Sequence, residues 1–374
     1  MNNRKLAVLF LVIIISIGGI TITYELESNE TMKGKTEFRL SYRYRLINEG
    51  PLNLTSLSLR LALLKDWDPV QQVNSLAIRT APNLTTTDEY GNEFAWYEYG
   101  SFSVNQSIDL QFDVNLTLYQ LDYSAAHLTR MPYNTSTELY KLYTAYHPLT
   151  DTTDPGIQQV AQRLGVAGDP RMTAYNAYNF SSSYIRYRLL SSIKGASYAL
   201  RNAHGDCDEY TSLFIALVRA NGIPAAEHTA WLADFTPGFE TTDEGAVAHA
   251  YPMFYLEGEG WLPVDPTRGN KNLYDNWLKT DQKRITLTRG PDHPYRLLKY
   301  RWIPVEGVSE PAITSNYTVK IQAMKTEYYS VLRPVIVAGL TGGPCIFIAL
   351  TVIEGLKFQK QQKMKLDALL SPEE

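Results

Sequence analysis

The chain has 374 residues, enough for two or three domains, and its make-up of 44% hydrophobic, 20% charged and 12% aromatic residues is that of a folded protein. The formal net charge is −4, and no Lys/Arg-rich stretch with interleaved aromatics lies mid-chain, which argues against nucleic acid as a partner.

Arg4 and Lys5 precede an uncharged apolar run at residues 6–22, so residues 1–23 are expected to be a signal peptide or an uncleaved signal-anchor helix. From 30 to 125, stretches such as "TEFRLSYRYRLI", "SLSLRLALL" and "QSIDLQFDVNLTLYQL" alternate apolar and polar residues between Gly, Pro and Asn clusters. That period of two predicts a β-sandwich domain, a spacer or binding module with no catalytic constellation. A polar linker is expected over 126–153.

Helices follow. Asp154-Pro155 and Asp169-Pro170 each supply an N-cap and a first-turn proline. A short helix after Gly195 should end near Asn202. In "DCDEYTSLFIALVRANGIP", Asp206 caps a helix and Glu209, three residues on, completes a capping box. Leu213, Phe214, Leu217 and Val218 form its apolar face, and Asn221-Gly222 ends it. "VAHAYPMFYL" and "WLPVD" read as strands around an "EGEG" turn. "RITLTRG" and "YTVKIQAM" look like further strands of the same core sheet, which is expected to occupy about 150–305.

Residues 334–353 carry no charge over 20 positions, and Lys357, Lys360, Lys363 and Lys365 follow. This predicts a transmembrane helix over 334–356 and a cytoplasmic basic tail over 357–374, with the region between the two apolar ends outside the cytoplasm. Eight Asn-x-Ser/Thr sequons, at Asn29, Asn53, Asn83, Asn105, Asn115, Asn134, Asn179 and Asn316, agree with a glycoprotein exposed outside the cell membrane. None falls between residues 182 and 315.

Of the two cysteines, Cys345 falls in the predicted membrane helix, which leaves Cys207 with no intramolecular disulfide partner. Cys207 stands at the first helical position, where free N–H groups and the helix dipole favour a thiolate and could hold an oxyanion. Asp206, Asp208 and Glu209 oppose that charge, so an imidazole partner is needed. His249 opens the strand after the helix, and Asp265 lies 16 residues further on. An even separation puts both side chains on one face of a hairpin only if the turn is odd in length or a bulge intervenes. His204 lies too close along the chain to face the thiol easily, and His228 is expected to pack within the next strand.

The blocks "GDCDEYTSLFIALVRANGIPA" and "HAYPMFYLEGEGWLPVDPT", in the order Cys, His, Asp, resemble the transglutaminase-like superfamily over about residues 150–270, in its membrane-anchored prokaryotic type. The resemblance implies an α+β papain-like core with Cys207 as nucleophile, His249 as general base and Asp265 as its orienter. It implies thiol acyl transfer on polypeptide amides, and a polar or aromatic oxyanion-hole group before the cysteine, with Tyr198, Asn202 and His204 as candidates. No calcium pattern stands out, and no cofactor or metal is expected. The leading expectation is a membrane-tethered extracytoplasmic cysteine peptidase or amidase. A protein-crosslinking acyltransferase and a catalytically silent surface-binding module are the alternatives.

Overall fold

The computed structural model describes residues 15–17, 20–22, 31–124, 131–232, 240–241, 248–269, 276–290, 296–328 and 336–338. The expected terminal membrane segments lie largely outside these. Their described pieces, Ile15–Ile17, Ile20–Ile22 and Ile336–Ala338, are short strands of one small antiparallel sheet. Among the described residues no helix is long and apolar enough to cross a membrane.

The first half of the chain forms six strands: β1 (Met32–Asn48), β2 (Leu54–Leu63), β3 (Gln71–Ile78), β4 (Leu84–Thr87), β5 (Glu93–Tyr99) and β6 (Ser107–Leu121). Their alternation is read out directly. Phe38, Leu40, Tyr42, Tyr44 and Leu46 of β1 face inward, as do Leu110, Phe112, Val114 and Leu116 of β6. Leu57, Leu59 and Leu61 of β2 and Tyr97 of β5 complete the same apolar cluster from a second sheet. Tyr42 stacks on Phe112 with ring centroids 4.5 Å apart.

A second core is layered beside this. Helices α1 (Glu138–Thr144), α2 (Pro155–Leu164), α3 (Pro170–Tyr184), α4 (Ala196–Asn202) and α5 (Cys207–Arg219) cover one face of an antiparallel sheet. Between them, β7 (Arg186–Tyr187) and β8 (His204–Gly205) form a small parallel pair. The core sheet comprises β9 (Ala225–Leu232), β10 (Ala248–Leu256), β11 (Gly260–Pro263) and β12 (Arg284–Arg289), in the order β11-β10-β9-β12. Helix α5 is buried almost throughout, and Phe214 meets Phe254 of β10 edge-on at 6.3 Å. The expected linker is not featureless, because Thr137 caps α1 by accepting from the Tyr140 N–H.

Two later strands leave the core sheet. β13 (Arg296–Trp302) pairs with β2, and β14 (Ile313–Tyr328) pairs with β1 along nearly its whole length. "RITLTRG" does join the core as β12, but "YTVKIQAM" does not. Its period-two pattern suits any half-buried strand, and the long free edge of β1 offers it more partners than the short core strands do.

The layers are locked by side chains that imitate a neighbouring strand. Gln71 Oε1 accepts from Thr286 N at 2.8 Å, while its Nε2 donates to Thr286 O at 3.0 Å. Asn92 does the same to Arg289, with Oδ1 accepting from N and Nδ2 donating to O, both at 2.8 Å. Both contacts satisfy backbone groups on the outer edge of β12 and close it to further pairing. Trp231, Ile285 and Leu287 of the core sheet sink into the apolar cluster of the neighbouring sheets.

Candidate active site

Helix α5 starts as its sequence dictates. Asp206 is the N-cap, and its Oδ1 accepts from Asp208 N at 3.3 Å. Glu209 Oε2 accepts from Asp206 N at 3.1 Å, closing the capping box. The two carboxylates also hold the preceding loop: Asp206 Oδ2 accepts from Leu190 N at 2.9 Å and Glu209 Oε1 from Lys194 N at 2.7 Å. Gly205 is required here, since a Cβ at that position would overlap the Glu209 side chain. The other end of α5 is tied by Arg219, whose Nη2 donates to Ala225 O at 2.7 Å and whose Nη1 donates to Ala145 O at 3.0 Å.

Cys207 is therefore fixed at the first position of α5, and it is a free, part-buried thiol. The backbone N–H of Ala250, the residue after His249, points at its sulfur, which sets the thiol against β10. Burial pushes the thiol pKa well up, and the charge of Asp208 adds to this ahead of Asp206 and Glu227. The Ala250 N–H works the other way. The resting group is thus a protonated thiol, because burial outweighs the helix end.

His249 and Asp265 meet. His249 Nε2 lies 2.9 Å from Asp265 Oδ2, with both residues buried. The hairpin meets the parity condition: Leu256 pairs with Gly260 across the three residues 257–259, an odd loop. Extending that register sets Asp265 opposite Tyr251 and diagonal to His249, on the same face. Asp265 then leaves the ladder, and its N–H donates to Asn276 O at 3.0 Å.

A fourth residue completes the cluster. Arg284, at the start of β12, donates from Nη2 to Asp265 Oδ2 at 2.6 Å and from Nη1 to Asp281 Oδ1 at 2.7 Å. Burial alone would raise the Asp265 carboxyl, but the charges of His249 and Arg284 and the hydrogen bonds from both hold it well below the usual carboxylate range. An ionised Asp265 only accepts, so His249 Nε2 donates in this bond and Nδ1 is the ring nitrogen on the other side.

His228 and His204, the two other histidines weighed as bases, are held by structural contacts. His228 is fully buried, stacks on Tyr251 at 5.3 Å and accepts from Arg289 Nε at 3.0 Å. Burial and then the Arg289 charge hold it neutral, well below the ordinary histidine value. Tyr198, Asn202 and His204 bond among themselves: Tyr198 Oη and His204 Nε2 lie 2.8 Å apart, His204 Nδ1 and Asn202 O 3.0 Å apart, and Asn202 Nδ2 donates to Tyr198 O at 2.9 Å. A further aromatic residue, Tyr187, comes close to the start of α5. It sits opposite Gly205 in the β7–β8 pair, and burial, then Cys207, Asp206 and Asp208, raise its phenol pKa. Its place depends on a parallel pairing between segments far apart in sequence, which no local pattern announces.

Asp206, Cys207 and Asp208 put ligand-type atoms within 4.8 Å of one another. Both Asp206 oxygens are already taken by backbone N–H groups. The cluster therefore reads as the start of a capped helix rather than a metal centre.

Residues 158–266 match the transglutaminase-like superfamily. No curated protein matches the chain. Among solved structures, a candidate cysteine protease from Cytophaga hutchinsonii is similar over 80% of this chain and 94% of its own, with 13% identity and a TM-score of 0.56. Likeness at that identity speaks for a shared fold. The periplasmic domain of TgpA from Pseudomonas aeruginosa, solved with ethylmercury, covers 64% of this chain and 96% of its own at 14% identity and a TM-score of 0.33. A candidate protease from Parabacteroides distasonis covers 54% of this chain and 58% of its own at 11% identity and a TM-score of 0.24.

Proposed function

We propose that the chain, whose residues 158–266 match the transglutaminase-like superfamily, is a cysteine peptidase or amidase that cleaves polypeptide amides by thiol acyl transfer. The observation that carries this is the buried 2.9 Å bond between His249 and Asp265, beside a thiol held at the N-terminus of α5. Cys207 attacks the carbonyl carbon as His249 Nδ1 takes the Sγ proton. The α5 N-terminal N–H groups and the Tyr187 O–H stabilise the oxyanion. His249 returns the proton to the leaving amine, and a thioester remains on Cys207. Water, deprotonated by His249, then hydrolyses it. Asp265 orients the ring and balances its charge, and Arg284 positions Asp265.

The two apolar terminal runs and their basic flanks support a membrane tether with the catalytic core outside the cytoplasm. The test is to incubate the full-length protein in detergent with denatured polypeptides and count new N-termini. Cleavage by the wild type that is lost in both Cys207→Ala and His249→Ala supports the proposal, and cleavage that survives either substitution contradicts it. Incorporation of a primary amine in preference to water would instead select the crosslinking alternative.

A further inference from the structure

The segment joining α3 to α4 presents two large apolar side chains to solvent beside the thiol. Tyr187 is 62% exposed and Leu189 78% exposed. Exposed apolar residues of that size on a rigid support mark an interaction site. The support is rigid here. Arg186 N donates to Ala203 O at 2.9 Å, Arg188 N to Gly205 O at 2.8 Å, and Leu190 N to the Asp206 carboxylate at 2.9 Å. The strand is thus pinned to the residues that cap α5.

Those same bonds fix the direction of the rest of the backbone. In a strand, alternate residues turn their N–H and C=O to opposite sides. Arg186 and Arg188 donate to the 203–205 segment, so the N–H and C=O of Tyr187 and Leu189 point away from it. Among the described residues nothing pairs with that outer edge, since β7 and β8 form a two-stranded sheet. Extending the strand's alternation two residues beyond Tyr187 puts Tyr187 and Leu189 on one face and Arg186 and Arg188 on the other. Tyr187 pairs with Gly205, two residues before Cys207, and Leu190 N bonds to Asp206, the residue before it.

We infer that the substrate chain adds as an extended strand to the outer edge of residues 187–189, with Tyr187 and Leu189 receiving an apolar side chain next to the amide delivered to Cys207. This rests on the acyl-transfer reading above and names the class of substrate it takes. The occupant is the substrate because the edge runs alongside Gly205 and Asp206, the two residues that lead into Cys207, so a polypeptide laid across Cys207 must run past it. Main-chain bonds at such an edge supply affinity, and the side-chain platform supplies selectivity.

The test uses the full-length Cys207→Ala protein in detergent, so binding is read without turnover. Fluorescently labelled extended peptides carrying a central Leu or Phe are compared with the same peptides carrying Asp. The Leu and Phe peptides should bind at least about tenfold more tightly. Leu189→Ser should bring the two classes within about twofold, and N-methylation of alternate peptide amides should weaken binding. Leu189 is too exposed for its loss to unfold the chain. Equal affinities, a preference that survives Leu189→Ser, or no binding because the chain itself or a second copy covers the edge would overturn the inference. Cleavage of the same peptides by the Cys207 protein is scored separately. Peptides that bind with the stated preference but are never cut would sink the hydrolase reading and leave this surface standing.

Discussion

Asp208 stands next to Cys207 with a charge of the wrong sign for a thiolate. Replacing it with Asn should make Cys207 more reactive. The ligand-type atoms of Asp206, Cys207 and Asp208 lie within 4.8 Å of one another. At that separation a unit charge disfavours the thiolate by about 0.9 kcal/mol at the dielectric of water and about 1.7 kcal/mol at half that value. Asp208 is only partly buried, which places it between these limits. Removing the charge should lower the thiol pKa by roughly 0.6 to 1.3 pH units. A less basic thiolate is also a weaker nucleophile, and this takes back nearly half of the gain on a logarithmic scale. The net expectation is an alkylation rate about two- to fivefold faster at pH 7–8. The helix cap is unaffected, because Asp206 provides it. The rate is read by iodoacetamide modification of the Cys207 peptide, followed by mass spectrometry, at low and high salt. High salt should shrink the difference between the variants. An unchanged or slower rate in Asp208→Asn at low salt would refute the electrostatic reasoning.

Other expectations follow from the same contacts. Arg284→Met removes a donor from the buried Asp265 Oδ2 and should cost about 3–5 kcal/mol in urea unfolding, with Arg284→Lys recovering part of it. Asp265 is more acidic folded than unfolded, so its contribution is present above the unfolded value of about 3.9 and drains away as pH falls below about 4. Urea midpoints between pH 5 and 2 should show that loss, and Asp265→Asn should flatten it. The Cys207 thiol is less acidic folded than unfolded, so the stability it contributes is present at neutral pH and declines above about pH 8.5. A Cys207→Ser chain should lack that alkaline decline. Gln71→Ala leaves both Thr286 backbone groups without their partner and should destabilise the fold by about 1–3 kcal/mol without touching Cys207, His249 or Asp265.

Local chemistry was the legible part. The caps at Asp154, Asp169 and Asp206 sit where their sequences place them, and the capping box at Glu209 forms as written. Hairpin parity stated the condition under which His249 and Asp265 share a face, an odd turn or a bulge, and the three-residue loop between Leu256 and Gly260 meets it. Long-range pairing was not legible. Arg284 reaches Asp265 only because β12 pairs with β9 across the sheet, and Tyr187 comes beside Gly205 only through a parallel pair. The same limit hid the partner of β14, whose alternation says that one face is buried and not against which sheet. The thiol's environment was half legible. The acidic neighbours are written in "DCDE", but the burial that dominates them depends on the packed sheet.

The central claim is that Cys207 carries an acyl group with His249 as its base. Full-length protein in detergent, treated with p-nitrophenyl acetate and mapped by peptide mass spectrometry, tests it most directly. The account predicts an acetyl group on Cys207 in the wild type, none at position 207 in Cys207→Ala, and slow acetylation in His249→Ala. No acetyl on Cys207, or acetylation at an unchanged rate in His249→Ala, would contradict it.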